Sequence, residues 1–114
     1  MIAAPPVVPN CATRVAAPRT LTIACGDGNF YLSGLRWTAW GAARATANGT
    51  AHANDCNPYC AAGHFHTYAI VATASRLRSC YGRREYTRLV VRYVTRPRPG
   101  AANPEVVDLG CRKR

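Results

Sequence analysis

The chain has 114 residues and a formal net charge of +10, a size that makes it one domain. No apolar run approaches the roughly 18 residues that a membrane-spanning helix needs. Its large apolar side chains are few (two Phe, two Trp, one Met), and Ala buries little area at about 25 cal/mol/Å², so cross-links are expected to supply part of its stability.

In chain order, residues 1–19 are rich in Pro and Ala and read as an extended arm, pinned by Cys11. Met1-Ile-Ala-Ala-Pro-Pro has neither a basic start nor an apolar run of 7–15 residues, the marks of a secretory signal. Residues 20–114 read as the β-rich domain. Leu21, Ile23 and Cys25 alternate with Thr20, Thr22 and Ala24, the pattern of a half-buried strand, and Gly26-Asp27-Gly28-Asn29 is a tight turn. Leu35 and Trp37 alternate with Arg36 and Thr38 in a second strand running to Trp40-Gly41. From Ala43 to Asn54 the alternation is strict. Ala43, Ala45, Ala47, Gly49, Ala51 and Ala53 form a small-residue face, and Arg44, Thr46, Asn48, Thr50 and His52 a polar one. Gly49 is expected to mark a bulge or a turn between two shorter strands.

Asn54 to Gly63 reads as a loop. The next strand runs from Phe65 to about Ser75, with Tyr68, Ile70 and Ala72 on one face. After a turn at Gly82, Thr87, Leu89, Val91 and Tyr93 point one way and Arg88 and Arg92 the other. Arg96-Pro97-Arg98-Pro99-Gly100 is a connector, because Pro cannot donate to a ladder. Val107, Leu109 and Cys111 suggest a last short strand. Short strands divided by turn signals predict an all-β fold, a single antiparallel β-sandwich or small barrel.

Six cysteines in a short chain, Cys11, Cys25, Cys56, Cys60, Cys80 and Cys111, predict three disulfides and an oxidising compartment, hence a secreted or extracytoplasmic protein. Cys56 and Cys60 flank a Pro-containing turn and are expected to pair locally. Cys25–Cys80 and Cys11–Cys111 are then the expected remaining pairs, out of about 15 connectivities that six cysteines allow. The alternative use of Cys56 and Cys60 is a zinc site with His64 and His66, which needs them reduced.

Three histidines define the enzymatic alternatives. His52, His64 and His66 would make a zinc centre if they converged. His52 or His66 with Glu85 and an arginine would supply the general base, general acid and charge stabilisation of a ribonuclease. Asp27, Asn29, Asn54 and Asp55 carry oxygen ligands for calcium but suit turn capping better. Trp37 and Trp40, three apart, are expected on opposite strand faces, one in the core and one free to stack on a ligand. No fingerprint for a nucleotide or other cofactor is present.

Several of these residues occur together in a recognisable pattern. Cys25-Gly-Asp-Gly-Asn29, Leu35-Arg-Trp37 with Trp40-Gly41, Asn54-Asp-Cys56, Pro58, Cys60-Ala-Ala-Gly63, Phe65-His66-x-Tyr68, Ser75-Arg-x-Arg-x-Cys80 and Tyr86-Thr-Arg-Leu89 resemble a group of small secreted actinobacterial proteins. The likeness spans about residues 20–95. It implies export and a disulfide-bearing domain, and it implies no activity and no catalytic residue.

The reading that results is a binding or structural module at the cell envelope. Its expected partner is an anionic polymer of the cell wall or another polyanion, met through Arg36, Arg88 and Arg92. The alternatives are the histidine-based hydrolase or metal enzyme, and an inhibitor or toxin-like effector presenting the Asn54–Gly63 loop.

Overall fold

A computed structural model describes residues 4–111; the first three residues of the expected arm and the last three of the β-rich domain lie outside them. The chain is all-β. A hairpin of β1 (Val8–Asn10) and β2 (Thr13–Val15) accompanies a six-stranded antiparallel meander: β3 (Leu21–Thr22), β4 (Phe30–Thr38), β5 (Ala45–Asn54), β6 (Phe65–Cys80), β7 (Arg83–Tyr93) and β8 (Glu105–Asp108). The sheet curls into a half-barrel, the barrel-like form of the expected all-β class. Among the described residues the one helical element is a 3-10 turn at Cys60–Ala62.

The small residues of β5 explain the curl. Ala45, Ala47, Ala51 and Ala53 are buried, as are Ala72 and Ala74 opposite them on β6. Alanine at the centre of a buried face leaves room for larger side chains from the flanks. Leu21, Phe30, Leu32 and Leu35 enter from one side and Leu89, Val91 and Tyr93 from the other. At about 1.5–3 kcal/mol for each fully buried Leu, Val or Phe, these flanking residues outweigh the alanines they surround.

Gly49 neither bends nor interrupts β5, contrary to expectation. It pairs with Ile70 in an unbroken register. The irregularity lies in β4, between Ser33 and Arg36, where Gly34 takes φ +62°, the conformation a glycine bulge requires. The extra residue puts both Leu32 and Leu35 on the buried face. A Cβ on Gly49 would lie 2.6 Å from Leu35 Cδ2 and 2.9 Å from Ser33 O, so the missing side chain at Gly49 makes space for Leu35.

The expected arm is a docked hairpin. Pro6, Val7 and Val8 are buried, and Val7 hydrogen-bonds the β7 backbone at Arg84 and Tyr86. The disulfides are Cys11–Cys25, Cys56–Cys60 and Cys80–Cys111, with no free cysteine. The local pair is as expected; Cys25–Cys80 and Cys11–Cys111 are not formed. Cys11 instead ties the β1–β2 hairpin to the chain beyond β3, and Cys111 ties the segment after β8 to the end of β6. The zinc reading of Cys56 and Cys60 falls with their oxidation.

The two tryptophans also depart from expectation. β4 ends at Thr38, and Ala39 at φ +59° turns the chain, so Trp40 folds back against Trp37 with ring centroids 4.8 Å apart. Their indole N–H groups donate to Pro18 O and Pro6 O, each at 2.7 Å. Both rings fasten the N-terminal segment to the sheet, and neither is a free stacking surface.

Candidate functional site

The Asn54–Gly63 loop is held by its own side chains. Asn54 Oδ1 accepts from Cys56 N, and Asn54 Nδ2 donates to Cys60 O and Asn29 Oδ1. Asp55 Oδ1 accepts the backbone N–H groups of Asn57 and His64, and its Oδ2 accepts from His66 Nε2 at 2.9 Å. These bonds, His64 N–H first and His66 next, hold the Asp55 carboxyl down at about 2. Asp27 likewise caps its turn by accepting from Asn29 N. Three of the four calcium candidates, Asp27, Asn54 and Asp55, are therefore turn-capping groups, and the fourth, Asn29, accepts from Asn54; among the described residues no three His, Cys, Asp or Glu gather as a metal site. The loop displays Tyr59, 64% exposed.

The three histidines do not converge. His66 pairs with Ala53, which is buried, whereas His52 is the next residue on β5 and pairs with Thr67. Paired residues share a face and neighbours alternate, so His52 and His66 lie on opposite faces of the sheet. On the outer face His52 stacks flat on Tyr31, with centroids 4.4 Å apart, and shares a 2.6 Å hydrogen bond with Ser33 Oγ. Glu85 is more distant still. It pairs with Arg78, about 40 Å along β6 from His66 at ~3.3 Å per residue. It is buried and bound to Arg14 Nε at 3.0 Å. Neither the expected zinc triad of His52, His64 and His66 nor the catalytic set of His52, His66 and Glu85 is assembled, because alternation and strand length keep the members apart.

His66 does occupy a cleft of about 560 Å³ with Asp55, Tyr68, Arg96 and Arg98. The Asp55 bond at Nε2 leaves Nδ1 as the ring atom with a lone pair for a proton. Arg98 is committed elsewhere. It makes a bidentate pair with Glu105 and lies 4.5 Å over the Phe30 ring. Tyr93 donates to the same carboxylate, and burial with Glu105 beside it raises the Tyr93 hydroxyl well above the usual phenol range.

The arginines, in contrast, share a face. Arg36 pairs with Asn48, Asn48 with Val71, and Val71 with Arg92, so one row across four strands carries an arginine at each end, about 14 Å apart at ~4.8 Å per strand. Arg88 lies on the same face of β7, four residues from Arg92. The row beside them is Thr38, Thr46, Thr73, Val90 and Val106. The outer face is thus a hydroxyl-rich surface edged with guanidinium groups.

Folding concentrates charge that the sequence spreads out. The far half of the β6–β7 hairpin carries Arg76, Arg78, Arg83, Arg84 and Arg88, joined by a turn at Tyr81-Gly82 with φ +50° and +85°. The one acidic residue within it, Glu85, is occupied by Arg14. Arg76, Arg78 and Arg88 line a single cleft of about 520 Å³ with Thr87 and Asp108. Arg76 and Arg78 had no assigned role in the sequence; their nearness to Arg88 on the two arms of one hairpin was the available signal.

The chain matches no protein-family model, no curated protein and no solved structure. Among the described residues no helix is long and apolar enough to cross a membrane.

Proposed function

We propose that this protein is an exported binding module that engages an anionic polymer at the cell envelope through the outer face of its sheet. The observation that carries this reading is the common face of Arg36, Arg88 and Arg92, with the basic β6–β7 hairpin continuing it. Three disulfides and the likeness to small secreted actinobacterial proteins support export. Guanidinium groups on a rigid sheet suit repeated anionic groups, since each fork meets an oxyanion without ordering a loop. The test is retention of the purified protein on a column of immobilised polyphosphate or dextran sulfate. Binding at low salt that collapses as the Debye length falls from about 30 Å at 0.01 M to 8 Å at 0.15 M supports the reading; absent or salt-insensitive retention refutes it.

A second reading, a small hydrolase of the ribonuclease type, is favoured by one arrangement: His66, oriented by Asp55, in a cleft with Tyr68 and Arg96. It replaces the wider histidine set with a single imidazole base. Incubation with a generic RNA, with His66→Ala as the control, decides it.

A further inference from the structure

We propose that the cleft formed by Arg76, Arg78 and Arg88 is a binding site for a tetrahedral oxyanion, the phosphate or sulfate group carried by the polymer. This deepens the polyanion reading and rests on it.

Three observations converge on the cleft. First, Arg88 Nε is buried and has no hydrogen-bond partner. Buried N–H groups are nearly always paired, so this one points to an acceptor supplied from outside the chain. Second, none of the three guanidinium groups forms an ion pair among the described residues, although Asp108 lies across from Arg88 in the β7–β8 register. Asp108 Oδ1 instead accepts from Gly110 N. The cleft therefore holds three cations against one carboxylate. Third, Arg76 sits at φ +57° within β6, where its carbonyl accepts from Thr87 Oγ1 at 2.8 Å. Left-handed backbone is costly for an arginine, and the Thr87 bond holds Arg76 in it beside the cleft.

The number of forks selects the ligand. A carboxylate has two oxygens in one plane, a shape that matches one bidentate arginine and presents no oxygen to forks on its other sides. Three forks need acceptor oxygens on several sides of one centre, which phosphate and sulfate provide. Asp108 repels the anion in part and sets a sign for the test, since its removal strengthens binding.

The experiment follows the Arg88 Nε–Hε resonance by NMR in the full chain during titration with sodium phosphate, sodium sulfate and sodium acetate at constant ionic strength. The site predicts a saturable shift with phosphate and sulfate and none with acetate. Asp108→Asn should tighten the binding, and Arg88→Lys, which keeps the charge and removes the fork, should weaken it about tenfold, as judged by a backbone amide in the cleft. A shift of equal size with acetate, a shift that never saturates, or unchanged phosphate binding in Arg88→Lys overturns the proposal. Columns of polyphosphate, dextran sulfate and polygalacturonate then separate the two readings. Salt-sensitive retention on all three, unchanged in Arg88→Lys, keeps the polyanion reading and rejects the oxyanion site. No retention on any, with saturable phosphate binding intact, does the reverse. Preference between the first two columns identifies whether the group is a phosphate or a sulfate.

Discussion

Two carboxylate contacts of similar length behave differently because their surroundings differ. The Asp55–His66 pair is exposed, and its importance is local: Asp55 gathers two backbone N–H groups and one imidazole, so the ionised carboxylate is the form the loop needs. Its folded pKa of about 2 lies below the ordinary 3.8. The stabilisation it gives is therefore complete above about pH 4 and is lost as pH falls through 2. The amide protons of Asn57 and His64 should titrate together with a midpoint near 2 in NMR spectra, and Asp55→Asn should abolish that titration. The Arg14–Glu85 pair is buried, with side chains 8% and 2% exposed, and Glu85 Oε1 already lacks a partner. Arg14→Ala would strip the other oxygen of its arginine and strand a charge in the interior. A loss of about 3–5 kcal/mol in urea unfolding is expected, against a few tenths for an exposed arginine such as Arg92.

At the scale of strands, the bulge in β4 and the small residue facing it act as a unit. Gly49→Ala places a methyl against a side-chain tip and a backbone carbonyl. The tip can move and the carbonyl cannot, so the change should destabilise by about 1–3 kcal/mol. Leu35→Ala combined with it should restore little, since Ser33 O remains in the way. This pair also shows what was legible in the sequence. Strict alternation located β5 almost to the residue, and the faces of β6 and β7 followed from the same period. β4 was read only from Leu35 onward, because the extra residue at Gly34 breaks the alternation and hides Phe30–Ser33. The β1–β2 hairpin was missed because three-residue strands show no period, and Pro9 within β1 argued against one. Pro9 is tolerated there because β1 is an edge strand, paired within its sheet to β2 alone. The disulfides were half legible. Sequence proximity pointed to Cys56–Cys60, but the other four partners depend on which loop ends the curl brings together. Breaking the Cys80–Cys111 link by Cys80→Ser with Cys111→Ser should cost about 2–5 kcal/mol and free the chain after β8. The Gly110 amide would then exchange faster than those of β5.

Across the whole molecule, the acidic residues are spent internally. Glu85 and Glu105 are bound by arginine, Asp55 by His66, and Asp27 and Asp108 cap turns. Of the twelve described arginines, Arg14 and Arg98 are engaged in ion pairs with described residues, which leaves ten whose charge is uncompensated there. A chain rich in Ala and Arg can carry such a charge through genome composition alone, and net charge cannot distinguish that origin from a binding role. Position can. The histidines illustrate the difference: folding separated His52 and His66 to opposite faces of the sheet, whereas Arg36 is distant in sequence from Arg88 and Arg92 and the register set all three on one face. If composition alone explains the charge, any two exposed arginines are equivalent, and retention on polyphosphate should fall equally whichever two are removed. If the outer face is the binding surface, Arg88→Gln with Arg92→Gln should elute at clearly lower salt than Arg19→Gln with Arg96→Gln, although both variants carry the same net charge. Equal elution of the two variants would reduce the basic face to a by-product of composition; a separation between them would tie retention to the geometry of the sheet.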